Sequence, residues 1–493
     1  MRLETPRYLG PLPHLATGIR LPDVFLEGIL EALKLRRSAG GLMLSYGRET
    51  APSWVIDAPP GRYEITMGHT GTSITEYLTK GAEAARAKGV VVEMEADHLT
   101  VTSSSARAVK RISGYKEEYR LSDEEVEEAL SYIKREVDEA VSTGYINFYT
   151  IDTCELIEPA HEKLEGKRLE DAFYETYGKV EGEAILDKYA NRCFVFIGAT
   201  GRYFPIYLPR QRVMQLALKY KRSIETTLKI VGYLSEKTPS EYGVEIAFDE
   251  TPYITREDEL FFYLSRLRDY GLRPDFIAPN VGFEKKQDYR GDLAALERRV
   301  ERLSAIARSF STLLCFHSGS GSSPWSGKGP GTYAALLRAT GGLLKYKVSG
   351  VYFELLMEIY ASQPPGSRAR KLYEKIYDEV YSYVRREVEE DGPLNSPALR
   401  RQLEDYEKKI RPCDPYDPRA ELFRYYSFLA LNLRDKAGKR HLREEIIETY
   451  EGNEELRKKV DEEVKRLTLR LIDGLDFANN LALLADSSLK PSS

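Results

Sequence analysis

From Tyr63 onward, short apolar runs rich in β-branched and aromatic residues alternate with longer stretches whose apolar positions recur every three or four residues. The short runs predict strands over residues 63–67, 90–95, 146–151, 193–197, 244–248, 276–278, 313–316 and 344–348. The amphipathic stretches predict helices over 74–88, 124–141, 210–234, 257–270 and 293–310. Eight strands separated by helices fit an α/β fold of the (β/α)8 TIM-like barrel type, for which about 250 residues is usual. An open doubly wound sheet is the alternative. Polar residues follow many of the strands, and a ring of active-site loops at one end of a barrel requires this pattern.

Either side of that alternation the pattern changes. Residues 1–60 carry a helical stretch at 26–36, a strand at 41–46 and the turn Ala58-Pro59-Pro60, and form an N-terminal extension. The barrel is expected over 61–362. Residues 363–493 are helical and highly charged, broken at Arg411-Pro412-Cys413-Asp414-Pro415. Their aromatic stripe of Tyr373, Tyr377, Tyr381 and Tyr383 suits packing or a subunit contact, so a homodimer is a possible assembly.

Composition narrows the partners. The 72 basic and 77 acidic residues leave a net charge of -5, too balanced to point to nucleic acid or an anionic membrane. No run approaches the roughly 20 apolar residues of a membrane span, and Met1-Arg2-Leu3-Glu4 begins no signal peptide, so a cytoplasmic location is expected. Cys154, Cys193, Cys315 and Cys413 form no C-x-x-C pair, which argues against a disulfide framework or zinc knuckle. Five Gln, eight Asn and six Met beside abundant Glu, Lys and Arg match the bias of thermophile proteins.

Chemistry concentrates at strand ends. Val90-Val91-Val92 leads into Glu93-Met94-Glu95-Ala96-Asp97-His98, and Leu313-Leu314-Cys315-Phe316 into His317-Ser318-Gly319-Ser320. His98 and His317 each terminate an apolar run and are candidate metal ligands. His14, His161 and His441 have no such setting. Asp249 and Glu250 close another strand; neighbours on an extended chain face opposite ways, and Glu250 is taken as the third ligand. A helix cap at Asp249-Glu250-Thr251-Pro252 is the plainer reading. The set suits a divalent metal, Zn, Mn, Ni or Co. Asp97 and Asp152 are candidate catalytic acid/base groups, and Glu95, on the face of Asp97, a group that orients a ligand. His69, Arg202, Asn280, Glu284, Ser318 and Lys347 are candidate substrate contacts, and Arg202, Lys285 and Lys347 could clamp a carboxylate. The segment from Gly319 to Gly329 fails both as a phosphate loop, since Lys328 precedes Gly329 rather than Ser or Thr, and as a dinucleotide fingerprint, since Pro324 replaces its third glycine. It reads as a flap over the site.

Glu95-Ala96-Asp97-His98, Asp249-Glu250-Thr251-Pro252 and His317-Ser318-Gly319-Ser320 together resemble the tagaturonate epimerase family. Gly282-Phe283-Glu284-Lys285, Asp288-Tyr289-Arg290-Gly291-Asp292 and Lys347-Val348-Ser349-Gly350 add to the likeness, which runs over roughly residues 60–360. The resemblance implies a metal-dependent barrel that interconverts D-tagaturonate and D-fructuronate, with relatives acting on tagatose and fructose. Two departures concern substrate ends: Gly319-Ser320-Gly321-Ser322 stands where an acidic and a basic residue are expected, and the Lys347 segment lacks a Thr-rich form. The inverted carbon is one beyond that adjacent to the ketone, so its hydrogen is not acidified. With no dinucleotide fingerprint, retro-aldol cleavage and re-addition is the expected route. A metal-dependent aldose-ketose isomerase, a ketose 3-epimerase and a non-catalytic sugar-binding barrel are the alternatives.

Overall fold

In the computed structural model, which describes residues 4–112 and 120–486, eight parallel strands close into a barrel. Numbered in chain order they are β1 (His14–Gly18), β2 (Gly40–Ser45), β3 (Val92–Thr100), β4 (Phe148–Asp152), β5 (Gly243–Ala247), β6 (Phe276–Ala278), β7 (Leu313–Phe316) and β8 (Leu344–Val348). Each pairs with the next, and β8 closes on β1 with His14 opposite Lys345. The helices fall where the amphipathic periods place them, as at Ile74–Lys88, Asp123–Ser142 and Leu293–Ser309. Ser122 and Glu125 start the second of these with a reciprocal capping box.

Two expected strands are not part of the barrel. Residues 63–67 form turns, with the Met67 amide bonded to the Glu64 carbonyl at 3.0 Å. Residues Arg192–Ile197 pair antiparallel with Tyr203–Leu208 in a separate hairpin. The barrel instead takes β1 and β2 from the first 60 residues, so that segment is its beginning and not an extension. β1 escapes a search for β-branched runs because it is short and glycine-bearing, His-Leu-Ala-Thr-Gly, while β2 falls on the strand expected at 41–46, though that strand is not expected in the barrel. Smallness is required there. A Cβ on Gly41 would stand 1.7 Å from Glu95 Oε1.

Paired residues of a parallel sheet share a face, and the register assigns the barrel interior. His14, Ala16, Gly41, Met43 and Ser45 line it from β1 and β2; Glu93, Glu95 and Asp97 from β3; Lys345 and Lys347 from β8. On the opposite wall Phe148, Ala247, Phe276, Ala278, Leu313 and Cys315 form one buried apolar cluster, with Thr150 and Glu245 facing inward beside it. The charged groups of β3 and β8 thus abut an apolar cluster, with Lys345 Nζ 3.5 Å from the Phe148 ring centroid.

The hairpin packs Phe194 on Phe261 at 4.3 Å between ring centroids. Its outer face carries Cys193, Val195, Ile197, Tyr203, Pro205 and Tyr207, all exposed and none charged. The C-terminal helices pack back onto the barrel, and the aromatic stripe is internal, with Tyr377 stacked on Phe423 at 4.2 Å and 8°. Among the described residues no helix is long and apolar enough to cross a membrane.

Among the described residues the most extensive contact between helices joins Pro22–Leu35 near the start of the chain to Glu454–Gly474 near its end. A Cβ on Gly28 would meet the Asp461 carbonyl at 2.6 Å and Val464 Cβ at 2.8 Å. Gly28→Ala should therefore destabilise the fold by about 1–3 kcal/mol through overpacking. Urea denaturation of the variant beside the parent measures this, and an unchanged midpoint refutes the tight contact.

Candidate active site

Along β3 every second residue faces inward through Asp97, and then the pattern breaks. His98 has φ 51°, and the register with β4 shifts between Ala96 and Leu99. This bulge aims two consecutive side chains, Asp97 and His98, into one space that strict alternation would divide between two faces. Holding a non-glycine residue there costs about 1–3 kcal/mol, which the surrounding contacts must offset. On β7 the inward series Leu313, Cys315 continues to His317, and Ser318 turns the chain away with φ 57°.

The two imidazoles meet with ring centroids 4.8 Å apart. Each has one nitrogen held from behind by a carboxylate: His98 Nδ1 lies 3.1 Å from Asp152 Oδ2, and His317 Nε2 lies 2.5 Å from Glu245 Oε1. The other nitrogens face a shared space. His317 Nδ1 is 3.0 Å from Asp249 Oδ1, and His98 Nε2 is 3.9 Å from Asp97 Oδ2. Both Asp249 oxygens and His317 Nδ1 are buried without an aligned hydrogen bond. Ligand atoms of Asp97, His98 and His317, and of His98, Asp249 and Glu250, lie within 4.8 Å of one another. Two imidazoles backed by carboxylates, with orphaned donors converging between them, fit a divalent cation. Cys315 is a poor ligand, because burial pushes its thiol up to about 12.

Lys347 ties the centre to the barrel. Its ammonium reaches Thr150 Oγ1 at 2.7 Å, Asp97 Oδ1 at 2.8 Å and Glu245 Oε1 at 2.9 Å. Burial opposes charge on Asp97, but Lys347, with His98 and His317, holds its carboxyl well below the usual range. Glu245 is lowered in the same way, against burial, by Lys347 and His317. Burial works against an imidazolium at His317, and Asp249 and Glu245 overcome it, raising that group well above the ordinary histidine value. A second acid–imidazole group, His14 with Glu93 and Glu95, lies deeper, where Lys345 Nζ sits 2.8 Å from Glu95 Oε2.

Above the centre a cavity of about 810 Å³ is lined by Asp249, Glu250, Asn280, Glu284, Lys285, Ser318 and, from the C-terminal region, Arg401, Glu421 and Tyr425. The structure thus brings together Asp97, Asp152, His98, His317, Glu250 and Lys347, with Asn280, Glu284 and Ser318 on the cavity wall. Asn280 also braces its loop, donating to the Thr251 carbonyl at 2.8 Å. His69 is buried against Phe428 at 4.2 Å between ring centroids, below the rim. Arg202 is not in the site. It is exposed on the hairpin, because the strand that was to carry it there belongs outside the barrel. Glu250 is held by Arg48 Nη1 at 2.6 Å and Lys285 Nζ at 2.9 Å, leaving Asp249 the carboxylate nearer His317. The inward parity of Glu245 and Ala247 extends to Asp249, a signal that alternation along the strand contains. Glu245 was legible too, as a lone acid within an apolar strand. Arg48, which belongs to no motif, carried no signal.

Fold and site together define a (β/α)8 barrel protein with a metal-competent acid–base centre at the C-terminal ends of its strands. The sequence profile of the tagaturonate epimerase family matches residues 103–467, most of the chain. The chain belongs to the tagaturonate epimerase family. A tagaturonate/fructuronate epimerase from Thermotoga maritima is 27% identical over 266 residues, 53% of this chain and 50% of that protein. The chain thus spans about half the length of that curated relative. Among solved structures, a glycerol-bound fructuronate-tagaturonate epimerase from Cohnella laeviribosi superposes with a TM-score of 0.65 at 18% identity, covering 96% of this chain and 83% of that one. Its native form gives 0.62 over the same shares. At that identity the likeness speaks for the fold.

The flap after β7 is anchored by Lys328, whose buried ammonium donates to the Ser320 carbonyl at 3.0 Å and to that of Glu284. Burial lowers Lys328 to about 7. An unfolded lysine titrates near 10.4, so between about pH 7 and 10 the unfolded chain holds the extra proton and this group makes stability rise with pH. The slope is at most about 1.4 kcal/mol per pH unit. The unfolding free energy of the parent minus that of Lys328→Met should therefore grow between pH 7.5 and 9.5; a flat or falling difference contradicts the burial.

Proposed function

We propose that this chain is a divalent-metal-dependent epimerase of ketohexuronates, interconverting D-tagaturonate and D-fructuronate by retro-aldol cleavage and re-addition. The observation that carries the reading is the meeting of His98, His317 and Asp249 at the strand ends, with the two rings 4.8 Å apart and His317 Nδ1 3.0 Å from Asp249 Oδ1, in a chain of the tagaturonate epimerase family. Those three side chains would hold the cation. Asp152 and Glu245 fix the ring orientations from behind, which gives Asp152 a supporting place rather than a proton-transfer one. A divalent cation there would supply an electrophile for the ketone oxygen.

The chain's own residues do the rest. Asp97 accepts the proton of the C4 hydroxyl; the C3–C4 bond breaks, its electron pair passes to the ketone to give an enediolate, and C4 becomes an aldehyde bearing the acid end. Rotation about C4–C5 presents the other face of the aldehyde. The C3–C4 bond re-forms, and Asp97 returns the proton to the C4 oxygen. Lys347 keeps Asp97 charged between turnovers. Sugar acid is the partner in this reading, neutral tagatose a weaker one. A homodimer belongs to the same proposal, with the uncharged outer face of the hairpin as the surface two copies would cover, and a native mass of one chain would remove it.

Chelator-treated protein should lose turnover of D-tagaturonate and regain it with one of Zn, Mn, Co or Ni. His98→Ala and Asp249→Ala should lose both bound metal and activity, whereas Asp152→Asn should weaken either by about 10–100-fold. Metal content unchanged in His98→Ala would overturn the centre. Enzyme-bound nicotinamide in active protein would overturn the retro-aldol route. Solvent deuterium appearing on the carbon beside the ketone would favour the isomerase or 3-epimerase alternative. Binding of sugar with no turnover of either substrate would favour a non-catalytic barrel.

A further inference from the structure

We propose that Arg48 and Lys285 form a carboxylate-binding subsite for the acid end of a sugar acid, and that Glu250 occupies it until substrate arrives. The subsite follows from geometry, and the choice of a hexuronate as its ligand rests on the epimerase reading above.

Both cations converge on one oxygen, Glu250 Oε1. Arg48 arrives from the loop after β2 and Lys285 from the loop after β6, so opposite sides of the barrel mouth meet on a single carboxylate. Arg48 is 5% exposed, and its Nε is buried with no hydrogen-bond partner. A guanidinium suited to two parallel bonds with a carboxylate therefore leaves part of its donor capacity unused. Glu250 and Lys285 line the cavity while Arg48 does not, so Glu250 screens it. An incoming carboxylate that displaces Glu250 meets both cations without leaving either unpaired.

The position suits the substrate's length. A Glu250 oxygen lies within 4.8 Å of ligand atoms of His98 and Asp249. From ketone carbon to carboxyl carbon of a ketohexuronate are four carbon–carbon bonds, roughly 5 Å when extended and less when bent. Three further basic groups are committed elsewhere, while Arg107, Arg120, Lys163 and Arg401 also line the cavity. Lys347 is taken by Asp97 and Glu245, Arg20 pairs with Glu49 at 2.6 Å, and Lys286 with Glu354 at 2.9 Å. Cleavage would leave the acid on the aldehyde fragment, and this anchor retains the fragment while its aldehyde turns.

The test combines kinetics on D-tagaturonate and D-tagatose with calorimetric binding of D-gluconate and sorbitol to metal-free protein. Arg48→Gln should weaken gluconate binding and raise KM for tagaturonate roughly 30-fold or more, with a smaller fall in kcat. The preference for acid over neutral sugar should fall with it. Lys285→Gln, on a more exposed side chain, should show the same direction to a smaller extent, and Arg48→Lys should restore part of the loss. Glu250→Gln should tighten gluconate binding by removing the competitor. Equal losses on both substrates, or unchanged gluconate binding in both Arg48→Gln and Lys285→Gln, would overturn the subsite. If the parent turns over neither sugar yet binds gluconate through Arg48, the epimerase reading fails and the subsite stands.

Discussion

Lys347 and Lys345 are the charges around which the barrel is built. Both are buried, and each would be intolerable there without the acids it meets: Asp97 and Glu245 for Lys347, Glu95 for Lys345. Those acids come from β3 and β5, while the lysines come from β8, so the pairs hold distant strands of the closed sheet in register. They can meet because the strands between β8 and β3 are small at the level of Glu95, where Ala16 on β1 and Gly41 on β2 leave it room. The weak strand character of the first 45 residues and the charged interior are thus one constraint seen twice. Removing a single partner would leave a buried charge uncompensated, a cost of about 3–5 kcal/mol, so the network resists piecemeal change.

The same network sets the site. Lys347 fixes Asp97 and Glu245; Glu245 fixes His317; the bulge at His98 brings its ring to face His317, with Asp152 behind it. The C-terminal region completes the rim. Arg424 pairs with Glu354 and reaches the Gly321 carbonyl at 2.8 Å, Tyr425 bonds the Lys285 carbonyl at 2.8 Å, and Arg443 bonds the Thr70 carbonyl at 3.0 Å. A helical tail that the sequence separates at residue 363 is structurally part of the cavity wall.

What was legible in the sequence follows from how local each signal is. Strands 90–95, 146–151, 244–248, 276–278, 313–316 and 344–348 announced themselves by apolar runs, and His98 and His317 by ending two of them. β1 did not, because it is short and small, and β2, expected as a strand at 41–46, gave no local sign that it closes the barrel. Cys193–Ile197 misled because a two-stranded hairpin with an apolar outer face reads as a doubly buried strand, and Arg202 went with it. Preferring Glu250 to Asp249 set aside the parity that β5 itself carries. Arg48 depends on a contact 202 residues away, which no local pattern encodes.

The Gly-Ser flap shows how a missing charge is made good. At Gly319 a side chain would meet the Lys347 carbonyl at 2.5 Å, so no acid can stand there without moving β8. The acid comes from elsewhere: Asp288 accepts the Ser322 amide at 2.9 Å and closes the flap from outside. Basic groups hold it as well: the flap's own Lys328 bonds the Ser320 carbonyl, and Arg424 from the C-terminal region bonds that of Gly321. From Gly319 to Ser323 the flap's residues are small and neutral, so its backbone can lie against β8 at Gly319. Charge facing the cavity comes instead from its other walls, Asp249, Glu250 and Lys285 among them.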